Sequence, residues 1–125
     1  MTAWPHFTRE ELRCSHTGKC DMDLDFMEAL EALRVAFARP MPISSAYRHP
    51  SHPVESRKAR PGAHSLGQAV DVRISGAEAY DLLALALAHG FTGIGVAQKG
   101  DHATRFIHLD MARTPDAHRP WVWSY

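Results

Sequence analysis

Two short segments of the sequence alternate strictly between apolar and polar residues, and this alternation constrains the fold more than any other feature. Residues 68–74 carry Asp71 at a polar position, and residues 105–111 carry His108 at another. The apolar positions between them are Val70, Val72, Ile74, Ile107, Leu109 and Met111. Because successive side chains of a strand point to opposite faces, each segment predicts a strand with one buried face. If both apolar faces pack on one core, Asp71 and His108 emerge together on the other side of the sheet.

Helix-capping signals predict where helices begin in the rest of the chain. A Ser, Thr or Asp followed three residues later by Glu is typical of a helix start, and the pairs are Thr8/Glu11, Asp25/Glu28 and Ser75/Glu78. The second signal precedes an apolar stripe at helical spacing, formed by Phe26, Leu30, Leu33 and Phe37. Arg39-Pro40 ends that helix, and Gly90 ends the third. The first helix is short, since residues 15–18 have turn composition.

Two further strands are predicted, at residues 41–45 and in the glycine-punctuated segment 91–97. Residues 49–67 form the longest irregular stretch, of a length at which loops are usually functional or disordered. Helices come first, then strands with one inserted helix. This order predicts an α+β fold, a small antiparallel sheet with flanking helices, in a single domain over residues 1–125.

Composition excludes several classes of protein. The 125 residues are enough for one domain with its own core. Lys plus Arg and Asp plus Glu both total 14, so the chain lacks the basic excess of a duplex nucleic-acid binder. No apolar run approaches the roughly 18 residues that span a bilayer, and the first residues lack the order of a secretory signal. We therefore expect no nucleic-acid partner, no membrane insertion and synthesis in the cytoplasm. The sequence does not indicate an oligomeric state.

Cys14 and Cys20 lie close together, with His16 between them. They are interpreted in three ways: as free thiols, as a short-loop disulfide, or as part of a second metal site. Most of the nine histidines are interpreted as solvated surface residues.

His64 can join Asp71 and His108 in a metal site. It lies just upstream of the first alternating segment, in a loop that Gly62 and Gly67 allow to fold back. Two imidazoles and one carboxylate leave a fourth position open, as in catalytic rather than structural zinc sites. A strand Asp beside a loop His also forms ordinary surface hydrogen bonds, so the pattern alone leaves both interpretations open.

Three runs resemble, in order and spacing, the M15 family of zinc peptidases: Ser45–Arg48, Gly62–Asp71 and Phe106–Asp110. This family includes D-Ala-D-Ala carboxypeptidases, murein endopeptidases and phage endolysins, and it shares its fold with the hedgehog signalling domain. The similarity is strongest to the branch with a His-x-Asp ending, and it extends from the Phe7 segment to Tyr125.

The resemblance implies a role for particular residues. His64, Asp71 and His108 would bind Zn²⁺, and Arg48 would contact the substrate carbonyl or carboxylate and stabilise the oxyanion. Arginine suits that role because its guanidinium is a permanently charged fork of donors. Judged without the family, Arg48 would be assigned to a surface ion pair.

The chain departs from the family pattern at the general base. Several relatives carry an acidic residue three positions before the last zinc ligand or a His two positions before it, where this chain has Arg105 and Phe106. Asp110 is the leading substitute, with orientation of His108 as its alternative role. Asp101 and His102 are the next candidates.

The resulting expectation is a zinc-dependent peptidase that acts on peptidoglycan stem peptides or cross-links, as a D,D-carboxypeptidase or an endopeptidase. It would act on the cell wall, in the periplasm or delivered by a phage. Arg57, Lys58 and Arg60 could meet the acidic stem peptide or could be solvated. Two alternatives are a non-catalytic zinc-binding module of a phage tail or cell-wall complex, and a metal-free adaptor.

Overall fold

The computed structural model describes residues 4–58, 62–114 and 117–125. The helices in these ranges are α1 (Arg9–Leu12), α2 (Leu24–Phe37) and α3 (Gly76–Ala88). The strands are β1 (Ile43–Ser45), β2 (Ala69–Arg73), β3 (Gly93–Ala97), β4 (Phe106–Asp110) and β5 (Trp121–Ser124). Two 3₁₀ turns cover Glu55–Arg57 and His102–Thr104. Among the described residues, no helix has the length and apolar character to cross a bilayer.

The strands form one sheet in the order β1-β2-β4-β3-β5. The first three pairings are antiparallel, but β3 and β5 are parallel. The α+β prediction is confirmed, and the small antiparallel sheet that it includes is mixed, because its β3–β5 edge is parallel. The cause is the connection after β4, which passes β3 at one end of the sheet. Strand β5 therefore starts beside the first residue of β3 and follows its direction, with Trp121 opposite Gly93.

The core lies between α2, α3 and one face of the sheet. The predicted α2 stripe is buried throughout and belongs to the same cluster as the apolar residues of the two alternating segments. This part of the cluster consists of Phe26, Leu30, Leu33, Phe37, Val70, Val72, Ile107 and Leu109. Burial of each large side chain of this kind contributes about 1.5–3 kcal/mol, so the core requires the apolar side of β2 and β4 to face the helices.

Helix capping follows the sequence signals only in part. Thr8 and Glu11 form the predicted capping box at α1. The cap of α2 is Asp23, not Asp25, because the Asp23 carboxylate accepts the Phe26 N–H at 2.9 Å. Asp25 lies within the first turn, where its charge interacts favourably with the helix dipole.

The third helix begins after Ser75, as predicted, but the expected capping box with Glu78 is wrong because the Ser75 side chain makes no capping hydrogen bond. The face that α3 buries consists of small and medium residues, namely Ala79, Leu82 and Ala86. Gly90 follows the helix with a φ of +84°, as expected for a terminating glycine.

Gly67 is the glycine on which the loop before β2 depends most. Its φ is +70°, and a Cβ there would lie 2.3 Å from the carbonyl oxygen of Asp21. Its own carbonyl accepts the Asp23 N–H at 2.9 Å, which joins this loop to the start of α2. The residue must therefore be glycine for two reasons, its conformation and the close approach of a second backbone.

We expect Gly67→Ala to lower the free energy of unfolding by about 1–2 kcal/mol through the left-handed backbone and by about 1–3 kcal/mol more through overpacking. Urea unfolding of the purified variants measures this loss. Gly90→Ala is the matched control, because Gly90 has a φ of +84° and no atom of the described residues lies within 4 Å of its added Cβ. Equal losses of unfolding free energy in the two variants would show that the close approach to Asp21 does not destabilise Gly67→Ala.

Candidate metal centre

The register of two neighbouring strands brings Asp71 and His108 together. Strands β2 and β4 pair antiparallel, and Asp71 lies directly opposite His108. Cβ atoms of such pairs are about 4.5–5.5 Å apart, and here Oδ1 of Asp71 lies 2.9 Å from Nδ1 of His108. Both side chains lie opposite the apolar core face, as the alternation predicts.

His64 reaches the same place from the loop before β2. Its Nδ1–H donates to the carbonyl oxygen of Ala46 at 2.6 Å, and its Nε2 lies 3.4 Å from Oδ1 of Asp71. The backbone is held as well, because the Arg48 N–H and the Gly67 N–H both donate to the His64 carbonyl, each at 3.2 Å. The loop is therefore fixed against the segment that follows β1.

These three residues have the donor set of a zinc site. One nitrogen or oxygen from each of His64, Asp71 and His108 lies within 4.8 Å of the others, and all three residues are buried. Each imidazole has its outer nitrogen beside an acceptor, Ala46 O for His64 and Asp110 Oδ2 for His108. A proton on each outer nitrogen leaves the inner nitrogens free to bind a cation, which is the usual arrangement of metal-bound histidines. The residues therefore fit a zinc ion.

Electrostatics keep this cluster charged. Burial raises the pKa of Asp71, but hydrogen bonds from His108 and His64 outweigh burial, and the pKa falls well below its usual range. Burial lowers the pKa of His108, and hydrogen bonds to Asp110 and Asp71 outweigh it and raise the pKa. Asp71 thus remains a carboxylate, the form that binds a metal, whereas a cation would have to displace the proton that His108 shares with Asp71 in the metal-free site.

Arg48 lies beside the cluster, as the resemblance implies. Its Nη2 is 3.7 Å from Oδ2 of Asp71, its Nε–H donates to Oγ of Ser45 at 3.2 Å, and its Nη1–H donates to Glu55 at 3.4 Å. Arg48 therefore forms ion pairs, but with buried carboxylates and not with the surface groups expected without the family. Its contact with substrate stays a prediction.

Glu55 was not singled out by the sequence, yet it organises the loop around Arg48. Its fully buried carboxylate accepts hydrogen bonds from Lys58 Nζ at 2.8 Å, Ser65 Oγ at 3.0 Å and the Gly62 N–H at 3.1 Å. A Cβ on Gly62 would lie 2.8 Å from the Lys58 amine, so a larger residue there would require this flexible side chain to shift. A single Glu in an irregular stretch carries no periodic signal by which it could have been found.

The basic residues of this loop differ in their surroundings. Lys58 pairs with Glu55 and borders the cleft above the metal centre, while Arg57 is exposed. Arg60, predicted with them, lies outside the described residues.

Of the candidate bases, the structure brings only Asp110 to the cluster. Asp110 is fully buried, and its Oδ2 accepts from Nε2 of His108 at 2.7 Å. Burial raises its pKa, but hydrogen bonds from His108 and Arg119 outweigh burial and hold the pKa well below its usual range. His102 instead borders a separate cavity with Arg73.

Three residues near the end of the chain also border the cleft, which has a volume of about 340 Å³: Arg119, Trp123 and Tyr125. Trp121, Trp123 and Tyr125 alternate with smaller residues, a period-two signal from which β5 could have been predicted. The sequence contains no comparable signal for Arg119.

The structure distinguishes between the three interpretations of Cys14 and Cys20. Cys14 and Cys20 are free thiols, as the first interpretation has it. Among the described residues, His64, Asp71 and His108 form the one group of three or more His, Cys, Asp or Glu side chains that could hold an ion together.

We expect the stabilising effect of Glu55 to depend on pH. Burial raises its pKa, but hydrogen bonds from Lys58, Gly62 and Ser65 lower it further, from near 4.5 to about 2. Because folding lowers the pKa of Glu55, its carboxylate stabilises the fold at pH values above the ordinary pKa of 4.5. This contribution is lost as the pH falls towards 2. Urea unfolding should show Glu55→Gln to be less stable than wild type at pH 7 and closer to it near pH 3.

Glu10→Gln, at an exposed glutamate, is the control. A difference in unfolding free energy between wild type and Glu55→Gln that is constant with pH would contradict the expectation.

We expect zinc to stabilise the fold through His64. A ligand at 100 times its Kd adds about 2.7 kcal/mol to the free energy of unfolding, so thermal unfolding of the metal-free protein should shift upwards on titration with zinc. His64→Ala should abolish the shift, whereas His89→Ala, outside the cluster, should retain it. Zinc-dependent stabilisation that persists in His64→Ala would place the ion elsewhere.

Comparison with known proteins agrees with this geometry. A family profile described as Peptidase M15 matches residues 5–110, which include His64, Asp71, His108 and Arg48. The match ends at Asp110, before the Tyr125 end of the expected resemblance. No curated protein matches the chain.

Proposed function

The chain belongs to the peptidase M15 family, and on that premise we propose that it is a zinc-dependent peptidase that hydrolyses peptide bonds in the stem peptides or cross-links of peptidoglycan. The observation that carries the proposal is the buried cluster of His64, Asp71 and His108, which borders an open cleft beside Arg48. Family and site agree on a metallopeptidase; zinc and the peptidoglycan substrate are our inference.

His64, Asp71 and His108 would hold a zinc ion, which would supply Lewis-acid chemistry: it would polarise a carbonyl and lower the pKa of water towards neutrality. The residues of the chain prepare the site for that chemistry. The Ala46 carbonyl and the Asp110 carboxylate hold the rings of His64 and His108, so that their inner nitrogens converge on Asp71. Rings that are already oriented need not reorganise during the reaction.

Arg48 supplies positive charge on the substrate side of the cluster. Its side chain is 21% exposed, and its contacts with Ser45 and Glu55 hold the guanidinium beside Asp71. Donors of the guanidinium that these contacts do not use can bind a peptide carbonyl or a terminal carboxylate. The same residue would thus orient the substrate and stabilise negative charge as it develops on the carbonyl oxygen.

The cleft suits an extended peptide with acidic groups. Arg48 and Lys58 line it together with the rings of Phe106, Trp123 and Tyr125. Carboxylates of a stem peptide would meet the cationic side chains, and its aliphatic groups would pack against the rings. On this basis we propose that the protein acts on the cell wall.

Asp110 as the general base stays a prediction. Its two oxygens accept hydrogen bonds from His108, Arg119 and the Ala112 N–H, contacts that support the orienting role more than proton transfer. This observation favours a second candidate function, a non-catalytic zinc-binding module of a phage tail or cell-wall complex.

Digestion of purified sacculi separates the two functions. The zinc-loaded protein is incubated with sacculi and, in parallel, with a peptide ending in D-Ala-D-Ala, and the products are identified by mass spectrometry. We expect soluble fragments or released D-Ala, and the fragment masses identify the bond. Intact murein and intact peptide at one zinc per chain, over a wide pH range, would exclude the peptidase and favour the module.

We expect Arg48→Ala to lower kcat/KM by about 10²–10³-fold, the usual loss for a donor that stabilises an oxyanion, with zinc still bound at one ion per chain. Arg13→Ala is the matched control, because Arg13 forms a surface ion pair with Glu10 at the end of α1. Unchanged kcat/KM in Arg48→Ala would remove Arg48 from the mechanism.

A further inference from the structure

The segment after β4 lies beyond the family match, yet it contributes side chains to the metal centre. The match ends at Asp110, and Arg119, Trp123 and Tyr125 of the following segment border the same cleft as His64 and His108. Of these three, Arg119 makes the most specific contacts.

Arg119 binds the carboxylate of Asp110 through two hydrogen bonds. Its Nε–H donates to Oδ1 and its Nη2–H donates to Oδ2, both at 2.8 Å. The carboxylate is fully buried and the arginine side chain is 19% exposed. A bidentate pair of this kind fixes the plane of the carboxylate as well as its position. Lysine would supply the charge without the planar fork.

Asp110 transmits this constraint to a metal ligand. The Oδ2 atom that Arg119 holds is also the acceptor for Nε2–H of His108, at 2.7 Å. With Nε2 committed to Asp110, the Nδ1 atom of His108 faces Asp71 and the site of the ion. The three side chains form a continuous chain of hydrogen bonds from the segment after β4 to the cluster.

The indole of Trp123 supports the same two residues. Its ring centroid is 5.0 Å from that of His108, and the Arg119 guanidinium carbon lies 5.2 Å from the Trp123 ring centroid. Gly95 pairs with His108 on one side and with Trp123 on the other. A Cβ on Gly95 would lie 2.7 Å from the indole nitrogen, so the absence of a side chain lets Trp123 lie against His108.

A second glycine of β3 makes room for the carboxylate itself. Gly93 pairs with Asp110, and a Cβ there would lie 2.0 Å from its Oδ1. The strand thus leaves space for both Asp110 and Trp123 while its other residues continue the sheet.

We propose that Arg119 is a positioning residue of the metal centre: through Asp110 it holds His108 in the orientation that binds the ion. The proposal deepens the proposed function and rests on it, but its test reads metal binding and needs no turnover. When His108 binds a cation as neutral imidazole, Arg119 is the remaining countercharge for the buried Asp110 carboxylate. Without Arg119, the buried Asp110 carboxylate loses this countercharge, and the oxygen that accepts from His108 is no longer held in place.

The test is zinc affinity, measured by competition with a chromophoric chelator. Loss of an outer partner of a ligating histidine typically costs 10–100-fold in metal affinity, and we expect this loss in Arg119→Gln and a smaller one in Arg119→Lys. Arg113→Gln is the matched control from the same segment, because Arg113 pairs with Asp23 and Asp25 at the surface; its zinc affinity should equal that of wild type.

A double-mutant cycle distinguishes positioning from a general structural effect. If Arg119 acts through Asp110, Arg119→Gln combined with Asp110→Asn should bind zinc no more weakly than the weaker-binding single variant. Losses that multiply would overturn the proposal, as would a zinc affinity of Arg119→Gln within twofold of wild type. Circular dichroism of the metal-free variants monitors the fold. If Arg119→Gln does not fold, Arg119→Lys is the deciding variant, because lysine keeps the positive charge but cannot form two parallel hydrogen bonds to Asp110. A zinc affinity of Arg119→Lys equal to that of wild type would then overturn the proposal.

These outcomes are separate from those of the peptidase proposal. A protein that binds zinc through Arg119 as described but leaves sacculi intact would refute the activity and retain the positioning role. If the wild-type protein cleaves murein and the zinc affinity of Arg119→Gln is unchanged, the peptidase activity is retained and the positioning role of Arg119 is refuted.

Discussion

The antiparallel pairing of β2 with β4 is the constraint on which the rest of the structure depends. Five residue pairs join the two strands, with Asp71 opposite His108 and Val70 and Val72 opposite Leu109 and Ile107. Because side chains alternate across a strand, a shift of one strand by one residue would turn its apolar residues out of the core and its ligand away from the cluster. The core and the metal centre are therefore stabilised by the same register, and the apolar face holds the polar face in place.

The polar face concentrates buried charge, and each carboxylate there has a cationic or hydrogen-bonding partner. Arg48 lies beside Asp71 and Glu55, and Arg119 binds Asp110. One arginine comes from the segment after β1 and the other from the segment before β5, so the cluster is enclosed from two edges of the sheet. Buried ion pairs of this kind add little net stability, but removing one partner is costly because the other charge stays buried. Their evident effect is geometric: they fix the groups that hold His64 and His108.

The family assignment and the geometry of the candidate site agree on the same three residues. The family match rests on sequence, whereas the convergence of His64, Asp71 and His108 rests on distances. Asp110, predicted as the base, is held by Arg119 and His108. The two positions at which the resemblance implies a base hold Arg105, which binds the Gly100 carbonyl, and Phe106. Zinc affinity and the digestion of sacculi therefore test the proposed metal binding and the proposed catalysis separately.

The sequence by itself determined the features that depend on local periodicity or on a family motif. Alternation placed Asp71 and His108 on one face, helical spacing identified the buried face of α2, and the motif added His64 and Arg48. Tertiary structure decided the rest. The α2 cap is Asp23 because its carboxylate reaches the Phe26 N–H, and β5 is parallel because its connection passes β3. Glu55 and Arg119 reach the site from irregular segments, where no repeating pattern marks a side chain. Their partners are chosen by how the chain folds back, and such contacts between distant segments leave no local signal in the sequence.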